Sequence, residues 1–240
     1  MTLQLPKTIA HRGASGSAPE NTMVAFERAV TMGAQAIELD VTLSADGVPI
    51  VMHDETLERT TNGEGPVILK SWADLSELDA GSWFAQDFGA ARIPTLQEVL
   101  AFGIANDVAL NLEIKPTLGW EGPTVKAMVD VLRDSSARTV VSSFNERALD
   151  LFHTLLPKAN IAVLVDVVPP HWAERLDHFD TNALHASDPF ITQALVDELA
   201  QAGVTLRVFT VNDPKRAQQL WSWGVASVFT DFPDKLVGQV

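Results

Sequence analysis

The sequence predicts an α/β protein in which eight strand and helix units follow one another and close into a barrel. Short apolar runs of strand length alternate with segments of helical periodicity eight times along the chain. The length of 240 residues and the hydrophobic composition of 46% suit a single barrel domain over residues 1–240. No glycine-rich phosphate turn opens a helix, which disfavours a doubly wound open sheet. The predicted fold is therefore a TIM (β/α)8 barrel.

Apolar runs bounded by turn residues place the strands, and apolar residues spaced three and four apart place the helices. The strands are predicted at 8–11, 35–41, 109–114, 139–143, 161–165, 183–186, 205–211 and 226–230. The helices are predicted near 21–32, 95–104, 123–135, 145–156, 170–179, 192–202, 213–223 and from 233 to the end. Because all eight strands would run parallel, their carboxyl ends meet at one face, where such barrels carry their sites.

One segment, residues 42–94, interrupts this rhythm between the second strand and its helix. It begins as a hairpin with its turn at 45–47, and the returning strand at 49–52 is expected to bring His53 back toward Asp40. The remainder is rich in turn residues and contains the large aromatic side chains Trp72, Trp83 and Phe84. A cap over the active face is expected, since those aromatics would otherwise lie exposed.

Polar residues at the ends of these strands form a set that few structural needs explain. His11 and Arg12 follow the first strand, and His53 closes the returning strand of the hairpin. Glu38 and Asp40 lie within the second strand, where side chains alternate between faces, so both carboxylates point to the same side. Two histidines beside carboxylates suit general acid–base catalysis.

A later strand adds a third carboxylate and a cationic side chain, which alternation along the strand again places on one face. Glu113 and Lys115, in the segment NLEIKP, share one face of their strand. The carboxylates of Glu38, Asp40 and Glu113 would repel one another strongly around one centre. A salt-bridge network with Arg12 and Lys115 could neutralise them, but burying such charges costs roughly several kcal/mol per ion. One hard divalent cation, Mg²⁺ or Ca²⁺, held by the three carboxylates is the preferred interpretation.

Short motifs occur in a distinctive order: HRG, PENT, GA-x-x-IE-x-DV, DG-x-x-x-V-x-HD, RTT-x-G-x-G and N-x-EIKP. They are densest in residues 9–65 and return at 111–116, and the motifs FTVN (209–212) and TDFP (230–233) follow. Together, in this order and spacing, they resemble the glycerophosphodiester phosphodiesterases, and in particular their shorter bacterial members. Two departures stand out: Phe209 replaces a tryptophan common in the family, and TLSADG replaces a Thr-Lys-Asp-Gly version.

The resemblance implies hydrolysis of glycerophosphodiesters, such as glycerophosphocholine and glycerophosphoethanolamine, to sn-glycerol 3-phosphate and an alcohol. The residues themselves support metal-assisted phosphodiester cleavage, in which Arg12 and Lys115 bind the phosphate. His11 is assigned as the base and His53 as the acid, which predicts a bell-shaped pH profile. Whether the nucleophile is a glycerol hydroxyl or water stays open.

Other residues are assigned to the pocket or to helices. His185 and Phe209 fall at strand ends on the active face and are candidates for the pocket lining, although core packing suits them equally. Trp83 in the insertion is a third candidate for the pocket. Asn21 is expected to cap the first helix. The remaining histidines are expected on the outer surface, at His153, His171 and His178.

The composition excludes several classes of partner. The net charge of −14 argues against nucleic acid and against anionic membranes, which are bound by basic patches. The absence of cysteine excludes disulfides, thiol catalysis and thiolate metal sites. No export signal precedes His11 and no 18-residue apolar run occurs, so the prediction is a cytoplasmic protein without membrane insertion. Its partner is expected to be a small-molecule substrate, and its oligomeric state is left open.

Two alternative functions use a similar set of residues. One is a lipid phosphodiesterase of the sphingomyelinase D, lysophospholipase D or bacterial phospholipase C type. Such an enzyme meets a membrane, which an acidic chain without a basic amphipathic helix disfavours. The other is a noncatalytic barrel that binds phosphodiesters, which would have no need of both histidines together with the carboxylates and Lys115.

Overall fold

The computed structural model describes residues 3–238 and shows a closed parallel barrel surrounded by helices. The strands in this range are β1 (Thr8–His11), β2 (Ala36–Leu43), β3 (Pro49–Val51), β4 (Ala109–Ile114), β5 (Thr139–Ser143), β6 (Ile161–Val165), β7 (Ala183–Ser187), β8 (Thr205–Phe209) and β9 (Ser227–Thr230). All except β3 form the barrel, which closes by parallel pairing of β1 with both β2 and β9. The predicted TIM barrel is confirmed, and each predicted strand is present to within a few residues.

Nine α-helices lie within residues 3–238, and several of them begin at recognisable capping residues. They are α1 (Met23–Thr31), α2 (Trp72–Leu75), α3 (Leu96–Ala105), α4 (Glu121–Leu132), α5 (Glu146–Leu155), α6 (Trp172–His178), α7 (Gln193–Gln201), α8 (Pro214–Trp223) and α9 (Pro233–Leu236). Thr95 and Glu98 form a reciprocal capping box at the start of α3. Helix α8 begins at a proline after the cap Asp213 and is followed by the capping residue Gly224, whose φ of 112° suits glycine. Across the described residues, none of these helices is long and apolar enough to cross a membrane.

Helix α1 begins differently from the prediction. Its cap is Thr22, whose hydroxyl oxygen accepts a hydrogen bond from the backbone N–H of Ala25 at 3.3 Å. Asn21 has a φ of 57°, in the left-handed region, and its buried amide Nδ2 donates to Asp40 Oδ2 at 2.8 Å. The prediction that Asn21 caps the helix is wrong, because this amide hydrogen-bonds a buried carboxylate instead.

Because side chains alternate between the two faces of each strand, one set packs in the apolar core and the other points into the barrel. Strand β2 is buried along its whole length, and Ile37, Leu39 and Val41 join the apolar layer between the barrel and its helices. The alternate residues, Glu38 and Asp40, therefore point into the barrel. At the amino ends of the strands, the side chains that pack together and close the barrel are Leu3, Leu5, Val140, Ala162 and Ala183. The opposite, carboxyl end remains available for a site.

The insertion between β2 and α3 starts with the predicted hairpin. Val51 of β3 pairs with Val41 of β2, and the N–H of Met52 donates to the carbonyl oxygen of Asp40 at 3.0 Å. This pairing brings His53 to the rim of the barrel. The insertion has a separate apolar cluster of buried residues, which are Ile50, Met52, Leu57, Val67, Leu75, Ala80 and Ile93. That cluster gives the insertion a packed structure of its own.

Candidate active site

Three carboxylates from neighbouring strands meet inside the carboxyl end of the barrel. The strand register pairs Asp40 of β2 with Glu113 of β4, and Glu38 lies two residues earlier on the same face of β2. One ligand oxygen from each of these carboxylates lies within 4.8 Å of the others. Glu38 and Asp40 are buried, with 4% and 1% of their surface exposed. This donor set of oxygen atoms suits a hard divalent cation.

Two cationic side chains reach part of this carboxylate cluster. Arg12 Nε lies 3.2 Å from Asp40 Oδ2. Lys115 Nζ lies 3.2 Å from Glu113 Oε1 and 3.8 Å from Asp40 Oδ1. The salt-bridge network considered from the sequence is therefore present, but it is centred on Asp40 and Glu113.

Glu38 is left with little compensation for its charge. Within residues 3–238 its hydrogen-bond donor is the backbone N–H of Arg12, at 3.0 Å, and His11 Nε2 lies 3.9 Å from its Oε2. Burial and the charges of Asp40 and Glu113 raise the pKa of Glu38 well above its ordinary value. Burial and the charge of Asp40 raise the pKa of Glu113 to about 7. A divalent cation among these oxygens would relieve the repulsion, so the residues fit such an ion.

The turn after β1 places Arg12 at the cluster. Arg12 has a φ of 55° and Gly13 a φ of 82°, so the chain turns sharply at the strand end. A Cβ on Gly13 would lie 2.7 Å from the carbonyl carbon of Ala25, which only glycine avoids. The turn aims the Arg12 N–H at Glu38, while its Nη1 donates to Glu20 Oε1 at 2.8 Å. These contacts explain the HRG motif physically.

His11 is held by a carboxylate from the far end of the chain. Its Nδ1 lies 2.7 Å from Asp231 Oδ1, and that carboxylate also accepts hydrogen bonds from Ser15 Oγ at 2.9 Å and Asn212 Nδ2 at 2.6 Å. Burial alone would raise the pKa of Asp231, but the hydrogen bonds and the nearby His11 lower it to about 2. An ionised Asp231 keeps the proton of His11 on Nδ1 and turns Nε2 toward Glu38.

His53 has an equivalent partner in the next residue. Its Nδ1 lies 2.6 Å from Asp54 Oδ1, and Arg59 donates to both oxygens of Asp54, at 2.5 and 3.0 Å. The hydrogen bonds from Arg59 and His53 lower the pKa of Asp54 to about 2. Arg59 also donates to both oxygens of Glu20 at 2.8 Å. These ion pairs, from Asp54 through Arg59 to Glu20, tie the insertion to the loop that carries Arg12.

The second ring nitrogen of His53 faces Lys115. The distance from His53 Nε2 to Lys115 Nζ is 3.1 Å. Burial lowers the pKa of His53, and the positive charges of Arg12 and Lys115 lower it further against the opposing effect of Asp40. The ring is therefore neutral in the free protein at neutral pH, and Nε2 accepts a hydrogen bond from the ammonium group.

Two cavities open on either side of the carboxylate cluster and share Glu113 and Phe144. The inner lobe is the narrower of the two, and its lining includes His11, Asn111, His185, Phe209 and Phe229. The outer lobe is wider and more open, and its lining includes His53, Asp54, Glu55, Lys115 and Pro116. Each histidine expected in catalysis thus belongs to a different lobe.

The structure brings most of the residues predicted for the site into one place. The residues His11, Arg12, Glu38, Asp40, His53, Glu113 and Lys115 are linked by the contacts described above. His185 and Phe209 both line the inner lobe. Trp83 lines neither lobe: its indole Nε1 donates to the carbonyl oxygen of Ala80 at 2.9 Å, and its ring lies edge-on to Phe84 at 5.7 Å.

Sequence reasoning missed the residues that orient the two histidines. They lie inside motifs already recognised, in PENT, HD, RTT, FTVN and TDFP, and they are Glu20, Asp54, Arg59, Asn212 and Asp231. The polar residue within each motif could have indicated a role in the site. The residue that it contacts could not be predicted from the sequence spacing, since His11 and Asp231 are 220 positions apart.

The low pKa of Asp231 predicts acid-sensitive stability. The pKa of about 2 lies below the ordinary 3.8, so the stabilisation is fully present above about pH 4 and is lost as the pH falls toward 2. Asp231→Asn is expected to lower the Tm at about pH 6 and to flatten the fall of Tm below about pH 4, measured by tryptophan fluorescence. Asp150→Asn, on the outer surface, is the control. If the Tm values of wild type and Asp231→Asn fell in parallel as the pH was lowered to about 2, this account would be contradicted.

The chain is similar to one family of known proteins over nearly its whole length. The model of the glycerophosphoryl diester phosphodiesterase family matches residues 11–235. A glycerophosphodiester phosphodiesterase of Caldanaerobacter subterraneus is 37% identical over 239 residues, covering 97% of this chain and 96% of the relative. One of Bacillus altitudinis is 38% identical over 243 residues, covering 97% of each chain.

A solved structure is similar over nearly the whole chain. It is an Oleispira antarctica phosphodiesterase in complex with the product sn-glycerol-3-phosphate. The sequences are 40% identical, the TM-score is 0.94, and the match covers 97% of this chain and 95% of the other.

Proposed function

Because the chain belongs to the glycerophosphoryl diester phosphodiesterase family and is an enzyme of that class, we propose that it hydrolyses small glycerophosphodiesters to sn-glycerol 3-phosphate and an alcohol. Glycerophosphocholine and glycerophosphoethanolamine are the proposed substrates. The product bound by the Oleispira protein supports this assignment. The observation that carries the proposal is a buried carboxylate cluster between two histidines, each held by its own ionised carboxylate. The cytoplasmic location stays a prediction from the sequence.

The proposal includes one divalent cation, Mg²⁺ or Ca²⁺, held by Glu38, Asp40 and Glu113. Its support is that Glu38 is buried and that no lysine or arginine side chain in the described range forms an ion pair with it. When bound, such a cation would neutralise charge on the nonbridging phosphate oxygens. Arg12 and Lys115 are partly exposed at the cluster and add hydrogen-bond donors for the same oxygens.

The positions of the two histidines support His11 as base and His53 as acid. A hydroxyl oxygen, from the glycerol moiety or from water, attacks phosphorus and transfers its proton to His11 Nε2. The bond between phosphorus and the alcohol oxygen breaks, and His53 Nε2 gives a proton to that oxygen. With water as nucleophile the product is sn-glycerol 3-phosphate; with the glycerol hydroxyl it is a cyclic phosphate, which water then opens to sn-glycerol 3-phosphate. His53 is neutral in the free enzyme, so it must first be protonated, which an adjacent phosphate anion favours. In this scheme the glycerol moiety occupies the inner lobe and the departing alcohol the outer lobe.

A second candidate, cleavage of a lysophospholipid, is favoured by one feature of the barrel mouth. The loops after β4, β5, β6 and β7 carry exposed apolar side chains, which are Leu118, Trp120, Phe144, Val167 and Phe190. An acyl chain leaving the inner lobe would meet surface of this kind. The acidic net charge of −14 still disfavours extraction of substrate from an anionic membrane.

A substrate panel tests the proposal and separates the two candidates. Purified protein is assayed on glycerophosphocholine, glycerophosphoethanolamine, lysophosphatidylcholine and sphingomyelin, with product identification in each case. We expect the highest kcat/KM on the two water-soluble glycerophosphodiesters. A higher kcat/KM on lysophosphatidylcholine would support the second candidate and reject the first.

Glu55 is expected to favour cationic alcohols in the outer lobe. Its exposed carboxylate makes no ion pair within the described part of the chain, and Phe144 presents an aromatic ring to the same lobe. An exposed charge pair contributes little, so Glu55→Gln should lower kcat/KM for glycerophosphocholine relative to glycerophosphoglycerol by about two- to fivefold. The measurement is the ratio of the two kcat/KM values.

Glu64→Gln is the matched control, because Glu64 is also exposed on the insertion but does not line the outer lobe. Its ratio should equal that of the wild type. Trp83→Ala should leave the ratio unchanged for the same reason. An unchanged ratio in Glu55→Gln would show that Glu55 does not select cationic alcohols.

A further inference from the structure

A buried histidine and arginine form a pair at the floor of the inner lobe. His185 of β7 and Arg207 of β8 are partners in the strand register, with 0% and 1% of their surfaces exposed. Arg207 Nη1 lies 3.3 Å from His185 Nε2, and Arg207 Nη2 donates to the carbonyl oxygen of Leu3 at 3.1 Å. No carboxylate in residues 3–238 forms an ion pair with Arg207. The pair belongs neither to the carboxylate cluster nor to the two histidine–carboxylate pairs.

This contact determines which nitrogen of His185 carries the proton. Burial lowers the pKa of Arg207 to about 10, so the guanidinium remains charged at neutral pH. A guanidinium only donates hydrogen bonds, so His185 Nε2 must be the acceptor. Burial, together with the charge of Arg207, lowers the pKa of His185 well below its ordinary value, so the ring is neutral. Its single N–H is therefore at Nδ1.

The inner lobe holds two buried polar atoms that lack protein partners. His185 Nδ1 makes no hydrogen bond to any described residue. Asn111 donates through Nδ2 to Ser142 Oγ at 3.1 Å, but its Oδ1 has no partner. Both residues line the lobe, together with three phenylalanines, which are Phe144, Phe209 and Phe229. A buried donor and a buried acceptor without protein partners are costly unless a water molecule or a ligand group pairs with them.

We propose that His185 is a specificity-determining residue whose Nδ1–H donates to a hydroxyl of the substrate's glycerol moiety, and that Arg207 is the positioning residue that holds this tautomer. Asn111 Oδ1 accepts a hydrogen bond from a hydroxyl of the same moiety. A hydroxyl both donates and accepts, so a polyol satisfies both protein atoms, whereas an alkyl group satisfies neither. The inference rests on the proposed function and names the part of the substrate that the inner lobe selects.

The tautomer can be measured without turnover. Nitrogen-15 NMR of the full chain distinguishes Nδ1–H, Nε2–H and imidazolium forms, and His185→Phe identifies the signal among the six histidines. We expect an Nδ1–H tautomer that shifts on addition of sn-glycerol 3-phosphate and does not shift with inorganic phosphate. Arg207→Met should abolish the preference for this tautomer, whereas Arg207→Lys, which keeps a donor, should retain part of it. An Nε2–H or imidazolium form in the wild type would overturn the proposal.

A kinetic comparison tests the role in selection. The substrates are glycerophosphocholine and its 2-hydroxypropyl analogue, which lacks the terminal hydroxyl of glycerol but keeps the hydroxyl that can attack phosphorus. The wild type should prefer glycerophosphocholine by about 10-fold or more, because the analogue leaves a buried polar group unpaired. His185→Phe should reduce this preference several-fold, through a higher KM for glycerophosphocholine. His185→Asn, which can place an amide donor near the same position, should restore part of it.

His153→Phe is the matched control. His153 on α5 also has an unpartnered Nδ1 and an edge-on phenylalanine, Phe179 at 5.9 Å, but it lies outside the inner lobe. Its substrate preference should equal that of the wild type. Equal preferences in His185→Phe and wild type would overturn the proposal. If the NMR shift with sn-glycerol 3-phosphate is present but no glycerophosphodiester is hydrolysed, the proposed function fails while the assignment of His185 stands.

Discussion

Replacing either His11 or His53 by alanine is expected to lower kcat on glycerophosphocholine by about 10²-fold or more. Both rings turn Nε2 toward the site while Nδ1 is held by an ionised carboxylate, Asp231 or Asp54. Their side chains are 20% and 30% exposed at the rim of the barrel, so little apolar packing is lost. Each variant loses one hydrogen bond to a carboxylate, so the fall in Tm should be small and no larger than the fall expected for Asp231→Asn. Steady-state kinetics and thermal unfolding of the same preparations measure both effects.

His178→Ala is the matched control for these variants. His178 also lies against a carboxylate, with Nε2 2.6 Å from Asp150 Oδ1, but this pair is exposed on the outer helices. Its kcat should equal that of the wild type. If the active-site variants instead lost stability by several kcal/mol and kept their activity per folded molecule, the histidines would be structural.

Glu38→Gln is expected to abolish tight binding of a divalent cation and to lower activity by at least about 10²-fold, since loss of groups that merely support ligands already costs 10- to 100-fold. Of the three carboxylates, Glu38 is buried and has the fewest protein groups that offset its negative charge. A bound cation would therefore stabilise its ionised form more than that of the other two. Calorimetric titration of chelator-treated protein with Mg²⁺ and with Ca²⁺ measures binding directly.

The control for this variant is Asp188→Asn. Asp188 follows β7 at the same face of the barrel, but it pairs with Arg216 and does not line either lobe. Cation binding and activity should both be retained. Equal cation affinity in Glu38→Gln and wild type would show that the carboxylate cluster is not the binding site.

The barrel could be predicted because its signals are local. Each strand is a short apolar run bounded by turn residues, and strands from β1 to β9 fall close to their predicted positions. The hairpin after β2 was equally readable from its Asp46-Gly47 turn. Alternation along β2 and β4 correctly placed Glu38, Asp40 and Glu113 on one inward face, because the side-chain period of a strand is two.

The supporting contacts could not be predicted because they depend on closure of the barrel. His11 meets Asp231 only because β1 pairs with β9. Asn21 shows the local ambiguity: the same side chain suits a helix cap and a buried carboxylate, and only the position of Asp40 decides between them. The inner pair of His185 and Arg207 likewise follows from the register of β7 and β8, which composition does not reveal.

The most direct test of the account is phosphorus NMR of glycerophosphocholine with chelator-treated protein, before and after addition of Mg²⁺ or Ca²⁺. We expect no turnover before addition, and afterwards conversion to sn-glycerol 3-phosphate, with at most a transient cyclic phosphate. Phosphocholine as the product would show cleavage of the other phosphoester bond, and undiminished turnover without any divalent cation would show that the carboxylate cluster does not act through a metal. Either result would contradict the proposed reaction.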